Sequence, residues 1–236
     1  MPIGSPPPPI VSAAPSPSTS PRAGAWIAAP RPWNTAKWLA QHHAFVARAR
    51  QGGIDVLFLG DSITEYFPSR GRDAWNREVA PLGHVADFGI SGDRTQFVLW
   101  RANNGELDGT GARVVVLMIG TNNLATAKAE DVARGVAAIV DTVRVKIPHA
   151  IVVLNALLPR GAPGDSLRAK VAGVNARIAT LADGVHVRWL DAGPGFVGDD
   201  GTIAASLMPD KLHPSAAGYD VWAAALRPVL LDALSK

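Results

Sequence analysis

The chain has 236 residues, 47% hydrophobic and 18% charged, which is enough apolar material for one core and points to one compact domain. Its 23 glycines and 19 prolines follow no short period and Cys is absent, excluding collagen, coiled coil, a disulfide framework, a thiol nucleophile and a Cys-ligated zinc site. The net charge of +3 comes from 23 basic and 20 acidic residues without a basic run interleaved with aromatics, so no nucleic-acid partner is expected.

Ten of the 19 prolines fall within residues 1–32, seven of them in Pro6 to Pro9 and in the stretch Pro15 to Pro21. Such a composition cannot bury enough apolar surface to offset its ordering entropy, so residues 1–32 read as an extended tail or linker and residues 33–236 as the folded domain. Trp26 and Trp33 are candidates to anchor that tail. No apolar run reaches the ~20 residues of a membrane span. The segment after Met1 lacks the charged start and apolar region of a signal peptide, so the location expected is cytoplasmic if Met1 is the native start and extracellular if a signal has been removed.

In chain order, Trp38, Leu39, His42, Phe45, Val46 and Ala49 share one helical face that Gly52-Gly53 terminates. Apolar runs at Ile54–Leu59, His84–Phe88, Arg113–Ile119, Ala150–Ala156 and Val185–Leu190 read as five strands. Between them, Thr126 is the expected cap of a helix marked by Val132, Val136, Ile139, Val140 and Val143 and ending at Pro148. Leu167, Val171, Val174, Ile178 and Leu181 mark another. A last helix runs from Ser215 to about Leu234 with an interruption expected near Pro228. Strands without polar alternation, separated by helices, predict an α/β fold, a three-layer sandwich with a parallel sheet covered on both faces. Ligands bind such sheets beyond the carboxyl ends of the strands, so the residues after each strand are where chemistry is expected.

Gly60-Asp61-Ser62-Ile63-Thr64 follows the first strand and puts a serine hydroxyl on a turn. A serine there commonly caps the next helix, and the Gly-x-Ser-x-Gly elbow is absent because position 64 is Thr. Gly89 to Thr95 follows the second strand and Gly120-Thr121-Asn122-Asn123 the third. The Gly92 N–H and the Asn122 amide can together face a developing oxyanion, although either segment alone also fits an ordinary turn. Asp210 and His213 stand three apart, close enough for the carboxylate to hold the imidazole while its other nitrogen faces Ser62. The chain shows no His or Cys at zinc spacing around them, and no metal or other cofactor is expected. His149 and His186 fit a loop and a strand without a catalytic partner, and Trp100 and Trp222 fit the core or its rim.

Ser62, Gly92, Asn122 and His213 occur in order, each where the sheet would present a ligand. The blocks Gly-Asp-Ser-Ile, Ser-Gly-Asp, Gly-Thr-Asn-Asn and Asp-x-x-His resemble those of the SGNH (GDSL) hydrolases. Within that superfamily the chain looks most like the catalytic subunits of intracellular platelet-activating factor acetylhydrolase and their bacterial relatives. The likeness rests on Trp38–His42, Val56–Ser62, Asp87–Gln96, Val98–Arg101, Leu157–Gly161 and His213–Tyr219 and covers residues 38 to about 230. Asp87 stands where relatives commonly carry Asn, with an effect expected on the strand end more than on catalysis.

The resemblance implies a flavodoxin-like five-stranded sheet and a metal-independent serine esterase for short acyl groups, acetyl above all. Ser62 would be the nucleophile, His213 the base and Asp210 its orienting partner, with Ser62, Gly92 and Asn122 as the oxyanion hole. A homo-oligomer is compatible with the chain. Two other readings stay beside the esterase. One is a non-catalytic carbohydrate- or protein-binding module on the same fold; loss of Ser62 or His213 would have supported it, yet both are present. The other is a nucleotide-binding domain, against which stands the absence of a Gly-rich phosphate loop after the first strand.

Overall fold

A computed structural model describes residues 24–236. Five strands, β1 (Val56–Gly60), β2 (Val85–Gly89), β3 (Val114–Met118), β4 (Ile151–Asn155) and β5 (Val187–Leu190), form one parallel sheet in the order β2-β1-β3-β4-β5. Register aligns Val56 with Val85 on one side and Val114 on the other, Val114 with Ile151, and Val152 with Val187. The three inner strands are buried at every position and the two edge strands are not, and β2 accordingly carries the polar Asp87 among its apolar residues.

Alternate residues of each strand point to opposite faces, and two apolar layers result. Leu57, Leu59, Val115, Leu117, Val152 and Leu154 pack beneath α1 (Thr35–Arg50), α3 (Thr95–Arg101), α4 (Ala129–Lys146) and α5 (Ser166–Ile178). Val56, Phe58, Val114, Val116 and Val153 face α6 (Ala216–Leu234) and the short helical turns between Phe67 and Leu82. That second layer is aromatic: Phe67 stacks on Trp222 at 4.8 Å between centroids, and Phe58 meets Trp75 at 5.1 Å. Such pairs add about 0.5–1.5 kcal/mol each beyond the area they bury. Trp222 also donates from Nε1 to Asn155 Oδ1 at 3.0 Å, so α6 is fixed in rotation as well as depth.

Three expectations change. The fourth helix begins at Ala129 with Lys128 as its cap, not at Thr126, because Asn123 O already accepts from the Thr126 and Ala127 N–H groups in a separate turn. The last helix is continuous through Pro228. The proline ring is exposed, and Ala224, whose carbonyl loses its helical donor, is exposed too, so water can serve that oxygen while Leu226 and Leu230 hold both sides in the core. The third difference lies at the start of the packed chain, since residues 24–32 already lie on the domain. Ala25 is buried, its carbonyl accepts from Thr95 Oγ1 at 2.6 Å, and Ala29 N–H donates to Gln96 O at 3.1 Å. Trp26 lies under Arg134 at 4.0 Å and Trp33 meets Phe97 edge-on at 5.2 Å. The tail from Met1 to Ala23 lies outside the described residues.

The helical turns at residues 62–82 and α3 were not expected from the sequence. Pro68, Gly71 and Pro81 cut the first stretch below any helical period, and α3 is buried nearly all round and so shows no polar face.

Candidate active site

The site is built from the loops that follow β1, β2 and β3 and from the turn before α6. Gly60 ends β1 where a Cβ would lie 2.2 Å from Thr64 Oγ1 and 2.6 Å from Met118 O, so only glycine lets the chain bend there. Asp61 then caps α2 (Ser62–Glu65), its Oδ1 accepting the Ile63 N–H at 3.0 Å. This presents the buried Ser62 at the carboxyl end of β1, an inner strand. The helix cap is therefore Asp61 and not Ser62, and the hydroxyl of Ser62 is left for another partner.

That partner arrives from 151 residues away. Ser62 Oγ lies 3.0 Å from His213 Nε2, and His213 Nδ1 lies 2.6 Å from Asp210 Oδ2. The other Asp210 oxygen accepts the backbone N–H groups of Leu212 at 3.0 Å and His213 at 2.7 Å. The three-residue loop closes because Lys211 adopts a left-handed φ of 56°, a conformation that costs a non-glycine residue about 1 kcal/mol. Burial works against ionisation of Asp210, but the bonds from His213 and Leu212 outweigh it and hold the carboxyl below the usual carboxylate range. On its open side the imidazole is bordered by the Tyr66 ring, 5.7 Å between centroids, and Arg70 lies over Tyr66 at 4.0 Å.

Gly92 has φ +80°, which turns the chain after β2 sharply. Among the described residues the Gly92 N–H has no acceptor. Asn122 comes from the end of β3, on the far side of β1, and donates from Nδ2 to Asp93 O at 2.9 Å, with Asp61 Oδ2 at 3.5 Å. Ser62, Asp210, His213, Gly92 and Asn122 are thus all brought to one end of the sheet.

Beneath this end sits a buried ionic network that sequence reasoning missed. Arg101, at the end of α3, is fully buried and donates to Asp93 Oδ2 at 2.8 Å, to Glu106 Oε2, to Phe88 O at 3.1 Å and to Gly60 O at 3.3 Å. Trp38 Nε1 donates to Asp93 Oδ1 at 2.9 Å, and His42 Nδ1 lies 2.8 Å from Glu106 Oε1. One guanidinium therefore ties the ends of β1 and β2 and the Asp93 side chain together, a bidentate task suited to Arg. Its signal was an arginine closing an otherwise apolar run, Phe97 to Arg101, too short to carry a period. Glu65 was missed too; its Oε2 accepts the Ser91 N–H at 2.7 Å and its Oε1 the Gln41 amide at 3.1 Å.

Two further carboxyls are displaced upward. Burial is the main cause at Asp61, opposed by the Ile63 N–H and reinforced by Asp93, and brings it to about 7. Burial likewise raises Asp87 to about 8 against the Gly89 N–H bond, and its Oδ2 has no partner among the described residues. A neutral Asp87 at pH 7 has nearly the shape and the charge of an Asn side chain, the residue that the family resemblance leads one to expect there. Among the described residues no group of three or more His, Asp or Glu side chains is placed to hold a metal ion, and no helix is long and apolar enough to cross a membrane.

Ser62, His213 and Asp210 are thus in hydrogen-bond contact at the carboxyl end of a parallel α/β sheet. Residues 58–221 match the GDSL-like Lipase/Acylhydrolase family model. The chain is 42% identical over 201 residues to the platelet-activating factor acetylhydrolase IB subunit alpha1 of Homo sapiens, covering 85% of each chain. It superimposes on a GDSL-like lipase from Bacteroides thetaiotaomicron with a TM-score of 0.68 at 20% identity, covering 85% of this chain and 98% of that one. A catalytic mutant of an acetylxylan esterase from Geobacillus stearothermophilus gives a TM-score of 0.61 at 19% identity, covering 76% and 94%. The protein belongs to the GDSL-like lipase and acylhydrolase family and is an ester hydrolase.

Proposed function

We propose that the protein hydrolyses short-chain acyl esters, acetyl esters above all, through a Ser62-His213-Asp210 relay. The observation that carries this reading is the continuous chain of contacts from Ser62 Oγ through both nitrogens of His213 to Asp210, at 3.0 and 2.6 Å. Ser62 Oγ attacks the acyl carbonyl while His213 Nε2 takes its proton, giving a tetrahedral oxyanion. The imidazolium then protonates the departing alcohol oxygen and leaves an acyl-enzyme. Water, deprotonated by the same nitrogen, attacks that ester, and Ser62 Oγ recovers the proton as the carboxylic acid departs. Asp210 keeps Nδ1 protonated and stabilises the imidazolium.

The oxyanion is met by the N–H groups of Ser62 and Gly92 and by the Asn122 amide, which donates to Asp93 O at 2.9 Å and exchanges its weaker 3.5 Å contact with Asp61 Oδ2 for the oxyanion. Preference for acetyl is supported by the alpha1 relative, whose name is that of an acetylhydrolase. The test is Ser62→Ala assayed on p-nitrophenyl acetate together with labelling by an organophosphonate. Hydrolysis should be abolished, and in the wild type the label should sit on Ser62. A label on another residue, or full activity without Ser62, would remove the relay. p-Nitrophenyl esters of increasing chain length on the wild type set the acyl limit, and equal rates for acetyl and long chains would overturn the short-acyl preference.

A further inference from the structure

The Pro30-Arg31-Pro32 segment, which composition assigned to the tail, reaches the turn after β2. The Arg31 side chain is 10% exposed and lies along Trp33, with its guanidinium carbon 5.1 Å from the ring centroid. Arg31 Nη1 donates to Ser91 O at 2.9 Å and stands 3.9 Å from Asp93 Oδ1. A Cβ on Gly92 would meet Arg31 Nη2 at 3.1 Å, so the guanidinium sits directly against that glycine. The flanking prolines restrict the backbone of the segment and reduce the entropy lost in holding Arg31 there.

Ser91 O and Gly92 N–H belong to one peptide unit. We propose that Arg31 is a positioning residue of the oxyanion hole: it grips the Ser91–Gly92 peptide by its carbonyl and polarises it, so that the N–H on the opposite side is fixed in direction and strengthened as a donor. This rests on the reading of Gly92 as an oxyanion donor. The same turn is held at the Ser91 N–H by Glu65 and at the Asp93 carbonyl by Asn122, so Arg31 completes its restraint. A charged donor on a peptide oxygen in a partly buried site enhances the dipole of the whole unit, and such bonds reinforce one another in series. Arg31 touches neither substrate nor Ser62 in this scheme.

The test compares the full-length protein with Arg31→Met, which keeps the aliphatic stem against Trp33, and Arg31→Lys, which keeps charge and a donor. Each is assayed for kcat and KM on p-nitrophenyl acetate, for inhibition by a trifluoromethyl ketone that forms an oxyanion on the serine, and for melting temperature. Removing a direct oxyanion donor costs about 10²- to 10³-fold, so the indirect effect expected of Arg31→Met is about tenfold on kcat. KM should stay within about threefold, and the ketone should bind about tenfold more weakly. Arg31→Lys should recover most of both. A Met variant with kcat within about twofold of wild type, or one whose loss matches its unfolded fraction while ketone affinity per active site is unchanged, overturns the proposal. Should Arg31→Met not fold, Arg31→Gln and Arg31→Lys carry the same comparison. Ser62→Ala run in parallel separates the two readings: activity surviving in Ser62→Ala sinks the relay itself, whereas an inert Ser62→Ala beside a normal Arg31→Met sinks only the role of Arg31.

Discussion

Asn122 spends one amide hydrogen on the backbone carbonyl of Asp93, at 2.9 Å, and so joins the loop after β3 to the loop after β2. The same side chain is therefore a structural tie and the proposed third oxyanion donor. Asn122→Ala should lower kcat by about 10²- to 10³-fold, roughly 2.7–4 kcal/mol, with little change in KM. It should also lower the melting temperature by the few degrees expected for about 1 kcal/mol lost with a buried hydrogen bond. Kinetics and thermal melts on one preparation decide between them, and a near-normal kcat would take Asn122 out of the oxyanion hole.

The rate should rise from acid towards neutral pH. His213 acts as a base only when neutral, and an imidazole ordinarily loses its proton near ~6.5. Asp210 is held below the usual carboxylate range and stays ionised across that limb, whereas Asp61, raised to about 7 by burial, titrates within it. A kcat/KM profile from pH 5 to 9 on the wild type and on Asp61→Asn checks this, and activity greatest at the acid end in both would contradict the assignment.

Asp87 makes stability depend on pH in the direction opposite to a salt-bridged carboxylate. Its folded-state value is raised to about 8 from an ordinary 3.8, so the native state holds a proton that the unfolded state has released. The stabilisation is complete below about 4 and is lost as pH rises through about 8. Asn at this position is permanently neutral. Asp87→Asn should thus raise the melting temperature most at pH 9, less at pH 6 and least at pH 4, whereas an equal shift at all three would show that the carboxyl does not titrate in this range.

Pro228 interrupts the hydrogen bonding of α6 without ending it. Replacing it with Ala restores an N–H for the Ala224 carbonyl and removes a ring clash, against a small entropic loss in the unfolded chain. A gain of about 1–3 kcal/mol follows from helix propensities, and at ~2–4 °C per kcal/mol for a chain of this size the melting temperature should rise measurably. A fall in melting temperature would mean that the proline shapes the helix for its packing on Leu226 and Leu230.

The strands, their parallel arrangement and four polar residues and a glycine at the carboxyl end of the sheet were legible in the sequence because each depends on a local pattern. An unbroken apolar run needs no partner to be recognised as a buried strand, and Gly60-Asp61-Ser62 or Asp210-x-x-His213 needs only a few consecutive positions. What the sequence by itself could not determine is which distant groups meet. Ser62 and His213 are separated by 151 residues, and Arg101, Glu106 and Asp93 form their network only after β1, β2 and α3 have packed. Arg31 is the clearest case. Composition placed it in a proline-rich tail, and only the tertiary structure set its guanidinium against Gly92, because the burial of Ala25 and the Thr95 bond draw that segment onto the domain. Local patterns record a residue's own backbone and burial, whereas the electrostatic surroundings of a site are set by side chains brought together across the whole chain.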